Sequence, residues 1–345
     1  RGVPAIFLSM SDIVIETTEM HTGGEPVRIV TSGYPPIAGD TLLAKRRYVR
    51  ENLDHLRRML MFEPRGHHDM YGVIPVEPDH PEADIAVLFM HNEGYSTMCG
   101  HATLALGRWA VDTGAVEAGG RNEVPVNIQC PCGLVRTRVA IENGKAVAVA
   151  FESVPAFAFA LDKVVDTRTW GPITLDIGYG GAFYAFLAAP HIGLDVRESP
   201  VRDLVDAATE ITEAAKDQVP LSHPEDDDLA YLYGTILSDG RDADSDAPSA
   251  NVCVFADAQV DRSATGSGVT ARMALQLRRG LIEIGQTRRF ESVTGDVFTG
   301  RAIRACKVGR FDAVTVEVSG RPYYTGTACF TLEDGDALGG GFLLR

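Results

Sequence analysis

The hexapeptide TMCGHA at residues 97–102 decides the fold prediction, because a related hexapeptide, SATGSG, occurs at residues 263–268. Both begin with a hydroxyl residue and a spacer, and both place Cys99 or Thr265 directly before a glycine. A short, largely apolar segment that predicts a buried helix follows each of them. Two similar helix starts in one chain are typical of an internally duplicated protein.

A pair of adjacent glycines precedes each hexapeptide. Gly24, in HTGGEPVRIV, lies 75 residues before Cys99, and Gly181, in GYGGAFYAFL, lies 84 residues before Thr265. Each glycine pair leads into a segment that is predicted to be a strand. Because the two signatures recur in the same order, we expect two homologous halves related by a pseudo-twofold axis, with the crossover near residues 152–157.

The composition is that of an ordinary globular protein, with 345 residues, 45% hydrophobic and 23% charged side chains. This length accommodates two domains of ~150 residues each. A net charge of −15 argues against a nucleic-acid partner, which needs clustered Lys and Arg. No apolar run approaches the ~20 residues of a membrane-spanning helix, and the first ten residues do not resemble a secretory signal. We therefore expect a cytoplasmic protein without a membrane partner, and leave open whether it forms a homodimer.

Strand-like segments dominate the chain. They are short, rich in β-branched residues and bounded by turn formers; clear examples are 13–15, 27–30, 85–89, 135–139 and 314–318. Helical periodicity is rarer and predicts helices over 41–61, 102–111, 203–217 and 269–281. The acidic stretch 223–228 and residues 239–249 are predicted to be solvated loops.

Cys99 is the first candidate for chemistry, because it stands at the predicted start of a helix. Helix N-terminal amides and the macrodipole lower the pKa of a cysteine from ~8.5 toward neutrality and favour the thiolate. The same amides bind an anion such as a carboxylate, as an enzyme acting at the α-carbon of an amino acid requires. The alternative is an inert buried cysteine. A hydrolase-type pair with His101 is not expected, since side chains two residues apart on a helix point in different directions.

The second hexapeptide favours the catalytic interpretation of the first. Thr265 has the same relation to its helix as Cys99, so the sequence predicts a second anion site that faces the first. Asp261 lies four residues before Thr265, where a turn can aim its carboxylate at a substrate ammonium. The alternative for Asp261 is a structural role in capping the helix.

The remaining Cys and His clusters do not predict a metal site. Cys130 and Cys132 form a C-P-C pair without a second pair, so we interpret them as buried strand cysteines. The histidines at 21, 67 and 68 lack a spacing such as H-E-x-x-H. Six cysteines in a chain of this length do not require a disulfide framework.

Four segments together resemble the proline racemase family, which has the diaminopimelate epimerase-like fold. They are HTGGEP at 21–26, EPRGH at 63–67, MCGH at 98–101 and DRSATGSG at 261–268. The resemblance runs from about Ile13 to the C-terminus. In one place the chain departs from the family, because Ala264 stands where a proline is usual.

The resemblance implies an α+β fold of two pseudo-symmetric domains, each a curved sheet around a central helix. Residues 11–155 plus 320–345 would form the first domain, which carries Cys99. Residues 156–319 would form the second domain, which carries Thr265. The active site would lie in the cleft between the domains, and their closure over the substrate would exclude water.

The resemblance also implies a reaction. In the racemases and 4-hydroxyproline epimerases of the family, two cysteines face each other across the substrate and handle protons on its opposite faces. Thr265 replaces the second cysteine here, and its hydroxyl has no acid–base pKa near 7. The Cys/Thr pairing is similar to that of the branch that dehydrates trans-3-hydroxy-L-proline.

Carried over residue by residue, the resemblance implies that Cys99 accepts the α-proton and that Asp261 holds the imino nitrogen. The substrate carboxylate would bind backbone amides at the two helix starts, those of Gly100, His101, Gly266 and Ser267. No metal or organic cofactor is implied.

The expected reaction is removal of the α-proton by Cys99, loss of the 3-hydroxyl as water, and tautomerisation of the enamine to 1-pyrroline-2-carboxylate. Thr265 would hydrogen-bond the departing hydroxyl or fill space. Two alternatives stay open. One is a 4-hydroxyproline epimerase or proline racemase that uses Cys99 and a water in place of the second thiol; the other is a non-catalytic imino-acid binding protein.

Overall fold

The computed structural model describes residues 13–243 and 247–344. The other residues lie outside it, including the first ten, part of the predicted loop 239–249 and the two ends of the predicted first domain. The strands are β1 (Ile13–Thr22), β2 (Glu25–Ser32), β3 (Tyr71–Val76), β4 (Ile85–His91), β5 (Glu123–Cys130), β6 (Gly133–Glu142), β7 (Lys145–Glu152), β8 (Ala156–Thr167), β9 (Gly171–Tyr179), β10 (Phe183–Ala188), β11 (Leu232–Ser238), β12 (Ser249–Phe255), β13 (Gln259–Asp261), β14 (Thr287–Glu291), β15 (Val297–Val308), β16 (Phe311–Gly320) and β17 (Pro322–Leu332). The α-helices are α1 (Leu42–Asn52), α2 (Asp54–Met61), α3 (Gly100–Asp112), α4 (Val201–Gln218) and α5 (Gly266–Arg278).

The strand pairings form two series with the same order. The first runs β17-β1-β2-β3-β4-β5-β6-β7, and its parallel pairs are β2–β3 and β4–β5. The second runs β8-β9-β10-β11-β12-β14-β15-β16, and its parallel pairs, β10–β11 and β12–β14, occupy the corresponding places. Strand β16 also pairs with β8, which closes the second series into a ring, and with β7, which joins it to the first.

Helices α3 and α5 each pack inside one series of strands. Helix α3 contacts β1, β2, β5, β6, β7 and β17 of the first series and also β16, whereas α5 contacts β8, β9, β10, β15 and β16 of the second. Both are buried on nearly all sides, because Gly, Ala, Leu, Thr and Met occupy most of their positions. The structure starts both helices earlier than predicted, at the glycines of the two hexapeptides.

The single helix predicted over 41–61 is wrong, because two helices occupy this segment. Helix α1 begins after Thr41, whose hydroxyl accepts a hydrogen bond from the Ala44 amide. It ends at Asn52, and the cap residue Leu53 leaves the helical region with φ −123° and ψ 13°. Helix α2 starts at once with Asp54, which pairs with Arg57 one turn later. A change of direction without a proline or glycine leaves the apolar periodicity nearly intact, so the pattern alone does not show it.

The other predicted elements agree with the structure more closely. All five quoted strand segments lie within strands, and the predicted helix 203–217 corresponds to α4. Residues 153–155 connect β7 to β8, and β17 pairs along the whole of β1. Within the acidic stretch predicted to be solvated, His223 is instead buried against the rings of Phe157, Tyr179 and Phe183.

Candidate active site

The N-termini of α3 and α5 meet, and each helix begins directly after one of the two residues that the sequence singles out. Cys99 is the N-cap of α3, and Thr265 is the N-cap of α5. A Cβ atom on Gly100 would lie 2.3 Å from the Cα of Gly266, and a Cβ atom on Gly266 would lie 2.6 Å from the Cα of Gly100. Only glycine allows this approach, so unpaired amides of both helix starts border one space.

A small buried cavity lies at this junction, with about 20 Å³ available to the centre of a water-sized molecule. The structure brings all seven residues that the sequence predicted for the site to its wall: Cys99, Gly100, His101, Asp261, Thr265, Gly266 and Ser267. The rest of the wall is mostly aromatic or sulfur-containing and consists of Tyr71, Met98, Tyr184, Tyr233, Cys253 and Phe255.

The expectation that Cys99 and His101 do not meet is wrong. The Cys99 Sγ lies 3.1 Å from Nδ1 of His101. Cys99 caps the helix with an extended backbone, φ −145° and ψ 111°, so the helical geometry behind the expectation does not apply to it. The other ring nitrogen of His101, Nε2, lies 3.2 Å from the carbonyl oxygen of Pro26. Because a carbonyl only accepts, Nε2 carries the hydrogen and Nδ1 accepts from the Cys99 thiol.

The expected lowering of the Cys99 pKa is also wrong. Burial raises the pKa of the Cys99 thiol well above its usual range, and the charge of Asp261 adds to this. The Ala102 amide at the helix start and the Tyr71 hydroxyl pull the pKa down, but burial outweighs both. Burial also lowers the pKa of His101 to about 4, so its imidazole is neutral at pH 7.

Thr265 adopts a backbone conformation that is rare for a β-branched residue, with φ 63° and ψ 90°. Its amide donates to Ser263 Oγ at 3.0 Å, and the Ser263 amide donates to Asp261 Oδ1 at 2.7 Å. The Thr265 hydroxyl is buried, and the Cys253 thiol interacts with it. A backbone with positive φ at a residue other than glycine costs on the order of 1–3 kcal/mol. The hydrogen bonds of the surrounding turn must offset this cost to keep Thr265 in this conformation.

The HTGGEP motif anchors the segment that carries Asp261. Glu25 is fully buried, and its Oε2 accepts a hydrogen bond from the Arg262 backbone amide at 2.7 Å and lies 3.2 Å from the Arg262 guanidinium. Burial raises the pKa of Glu25, with Asp261 contributing in the same direction. The motif therefore acts on the site through the Arg262 segment.

Sequence reasoning missed two tyrosine–serine pairs in the site. The Tyr71 hydroxyl hydrogen-bonds Ser96 Oγ near the start of α3, and the Tyr184 hydroxyl lies 2.8 Å from Ser267 Oγ at the start of α5. Tyr233 also lines the cavity and carries a buried hydroxyl. The three tyrosines belong to β3, β10 and β11, and no local motif marks them as site residues.

In residues 13–243 and 247–344, no three His, Cys, Asp or Glu side chains cluster as metal ligands. Cys130 and Cys132 are free thiols, and Nδ1 of His68 lies 3.1 Å from Oδ1 of Asp69, which also accepts a hydrogen bond from the Val260 amide. The described part of the chain also holds no helix of the length and hydropathy that crossing a bilayer requires.

Known proteins resemble this chain over nearly its full length. The family model described as proline racemase matches residues 17–343. A trans-L-3-hydroxyproline dehydratase from Xenopus tropicalis is 59% identical over 333 residues, covering 96% of this chain and 96% of the relative. A trans-3-hydroxy-L-proline dehydratase from Homo sapiens is 59% identical over 336 residues, covering 96% and 95%.

A solved structure has the same fold. The crystal structure of a hydroxyproline epimerase from Agrobacterium vitis with bound trans-4-hydroxy-L-proline aligns with a TM-score of 0.91. The two chains are 26% identical, and the alignment covers 97% of this chain and 96% of the epimerase. The fold is that of the proline racemases, and the chain belongs to the proline racemase family.

Proposed function

We propose that the protein dehydrates trans-3-hydroxy-L-proline to 1-pyrroline-2-carboxylate. The observation that carries the proposal is the pairing of one thiol, Cys99, and one hydroxyl, Thr265, as caps of two helices that meet at a buried cavity. Racemisation by proton transfer on both faces of the α-carbon needs an ionisable group on each side of the substrate. A threonine side chain cannot supply one. The two dehydratases at 59% identity support the choice of substrate.

The substrate carboxylate binds between the two helix starts. Backbone amides of Gly100 and His101 on one helix, and of Gly266 and Ser267 on the other, supply donors at the positive ends of two macrodipoles. The carboxylate of Asp261 lines the same cavity and holds the protonated imino nitrogen. These contacts fix the α-carbon of the substrate relative to both caps.

Cys99 removes the α-proton as a thiolate. The thiol hydrogen-bonds Nδ1 of His101, so forming the thiolate means losing the proton of that hydrogen bond. The positively charged nitrogen of the substrate favours the thiolate once it enters the cavity, while the Ala102 amide and the Tyr71 hydroxyl supply hydrogen bonds to it. The negative charge that develops on the substrate lies at the two helix N-termini, where it is stabilised electrostatically.

Elimination follows on the same substrate. The electron pair left at the α-carbon forms the double bond to C3 as the C3–oxygen bond breaks, and the resulting enamine tautomerises to 1-pyrroline-2-carboxylate. No proton has to arrive at the α-carbon from the Thr265 side, so one base suffices. We propose that this needs neither a metal nor an organic cofactor, because the two helix starts stabilise the negative charge that forms and Asp261 holds the positively charged imino nitrogen.

We propose further that the chain consists of two related halves, residues 11–155 plus 320–345 and residues 156–319, with the site in the cleft between them. The repeated order of parallel and antiparallel pairs supports the duplication, and the pairing of β17 with β1 supports the assignment of the last strands. A volume of about 20 Å³ is too small for hydroxyproline, so the halves separate to admit it.

The experiment that tests the function offers the protein trans-3-hydroxy-L-proline, cis- and trans-4-hydroxyproline and L-proline in parallel. The proposal predicts a pyrroline product, detected with an aldehyde reagent, from trans-3-hydroxy-L-proline alone. Inversion of 4-hydroxyproline or proline without any pyrroline product would identify an epimerase or racemase instead. Binding of these compounds without any turnover would identify a binding protein.

A further inference from the structure

The stereochemistry of the proposed substrate decides which side of the cavity must assist the leaving hydroxyl. This inference rests on the proposed function. In trans-3-hydroxy-L-proline the hydroxyl lies on the ring face opposite the carboxylate. The α-proton also lies opposite the carboxylate, because both are bonded to the same carbon. The α-proton and the hydroxyl therefore share one ring face, and the hydroxyl departs on the side of the base, Cys99, rather than on the side of Thr265.

Tyr71 is placed on that side. It belongs to β3, lines the cavity with Cys99, and is only 2% exposed. Its hydroxyl hydrogen-bonds Ser96 Oγ, three residues before Cys99, and interacts with the Cys99 thiol. Its ring meets the edge of the His101 ring at a centroid distance of 5.0 Å. The matching tyrosine–serine pair, Tyr184 with Ser267, lies at the start of the other helix.

Two other groups near Cys99, His101 and Ser96, are poorer proton donors. Tyr233 is a second phenol in the cavity wall, but its hydroxyl interacts with those of Tyr71 and Ser96 rather than hydrogen-bonding the Cys99 thiol. Both ring nitrogens of His101 are engaged, one by Cys99 and the other by Pro26, and its lowered pKa leaves the imidazole without an extra proton at pH 7. Ser96 carries an aliphatic hydroxyl, which is a weaker acid than a phenol. Burial raises the pKa of Tyr71, so its hydroxyl keeps its proton until a strong base such as a departing hydroxide forms beside it.

We propose that Tyr71 is the catalytic acid that protonates the leaving 3-hydroxyl. The Cα–H bond breaks and its proton passes to the Cys99 thiolate. The C3–oxygen bond breaks, the oxygen takes the Tyr71 proton, and water leaves. A protonated Cys99 is a weaker hydrogen-bond acceptor than the thiolate. Once Cys99 has taken the α-proton, the Tyr71 hydroxyl can therefore donate its hydrogen to the leaving 3-hydroxyl instead.

The cycle closes within the same pair. After water has formed, Tyr71 is a phenolate and Cys99 is a thiol, and the two side chains interact directly. Transfer of the thiol proton to the phenolate restores both starting states. The proton removed from the α-carbon thereby replaces the one that left in water, and no solvent proton is required.

The test separates proton abstraction from loss of water. Tyr71→Phe and, as a matched removal of a phenol hydroxyl across the cavity, Tyr184→Phe are incubated with trans-3-hydroxy-L-proline in deuterated water and followed by proton NMR. We expect Tyr71→Phe to lose dehydration at least about 100-fold in kcat while the α-proton still exchanges for deuterium with retention, because the carbanion forms and returns. Tyr184→Phe should not produce exchange without dehydration.

Three results would overturn the assignment. The first is dehydration by Tyr71→Phe at a rate within about threefold of wild type. The second is a folded Tyr71→Phe variant that has lost α-proton exchange as well as dehydration. The third is α-proton exchange without dehydration in Tyr184→Phe. A second measurement needs no variant: cis-3-hydroxy-L-proline carries its hydroxyl on the Thr265 face, so the wild type should exchange its α-proton without dehydrating it. Dehydration of both isomers at similar rates would also contradict the role of Tyr71. A wild type that yields no pyrroline from the trans isomer refutes the proposed function itself, which is a different outcome.

Discussion

Gly100 and Gly266 meet backbone to backbone, so that a methyl group on either one would overlap the α-carbon of the other. This contact sets the distance between the two helix starts and thus between Cys99 and Thr265. The backbone amides of the two helix starts can bind the same substrate carboxylate only if the helix starts lie this close together. The contact joins segments 166 residues apart in the chain.

Gly100→Ala should therefore reduce both activity and stability. Overpacking of a buried contact costs about 1–3 kcal/mol, and displacement of the helix starts by about 1 Å costs on the order of 100-fold in kcat/KM. Steady-state kinetics and thermal unfolding measure the two effects. Gly340→Ala is the control, because a Cβ atom there meets nothing within 4 Å. Unchanged kcat/KM in Gly100→Ala would show that the glycine contact does not set the site.

Thr265→Cys should restore an ionisable group opposite Cys99. The expected result is inversion at the α-carbon of hydroxyproline or proline, which we expect the wild type not to catalyse, because a second thiol can deliver a proton to the other face. Chiral chromatography of the recovered imino acid measures it. Thr265→Val, which has no hydroxyl, serves as the control and should not invert. If both variants fail to invert while still dehydrating, the side chain at this position does not face the α-carbon.

The pH dependence of kcat/KM should report the raised pKa of Cys99. The base is the thiolate, and burial places the pKa of the free thiol well above its usual range. The active fraction therefore increases with pH, and kcat/KM should rise about tenfold per pH unit from pH 6 to pH 8. A flat profile over this range would show that the thiol proton has already moved to His101, since that transfer does not change the number of bound protons.

His91 should make the protein less stable as the solution becomes acidic. Burial lowers the pKa of His91 to about 3, below the ordinary value of 6.5. Below pH 6.5 the unfolded chain takes up a proton that the native state refuses, so stability present above that pH is lost as the pH falls. Between pH 7 and pH 5 this residue should account for about 2 kcal/mol of the free energy of unfolding.

Urea unfolding of wild type and His91→Gln at the two pH values measures this contribution. The variant should show a smaller difference between pH 7 and pH 5 than the wild type, by about 2 kcal/mol. His55→Gln, at an exposed histidine, is the control and should retain the wild-type difference. Equal differences in all three proteins would mean that His91 accepts a proton in the native state.

Much of the site could be predicted from sequence because its parts are local. The caps Cys99 and Thr265 and the amides after them are adjacent in the chain, and helix starts bind anions through such adjacent groups. Asp261 lies close enough to Thr265 to belong to the same turn. The spatial proximity of these residues follows from the repeat, and the structure places all seven at one cavity.

The remainder depends on tertiary structure. Tyr71, Tyr184 and Tyr233 come from three strands, and only folding brings them together. The contact of Cys99 with His101 depends on an extended cap residue, and the raised pKa of Cys99 depends on burial that a local motif does not encode. The break in the helix predicted over 41–61 is likewise invisible in the apolar periodicity.

The central claim is that Cys99 removes the α-proton and that this leads to loss of water. Proton NMR of trans-3-hydroxy-L-proline in deuterated water, with wild type, Cys99→Ser and the exposed control Cys329→Ser, tests it most directly. We predict conversion to the pyrroline by wild type and Cys329→Ser. In Cys99→Ser, α-exchange and dehydration should both fall by on the order of 1,000-fold, because a serine hydroxyl is a poor base. Dehydration by Cys99→Ser at a rate near that of the wild type would contradict the account.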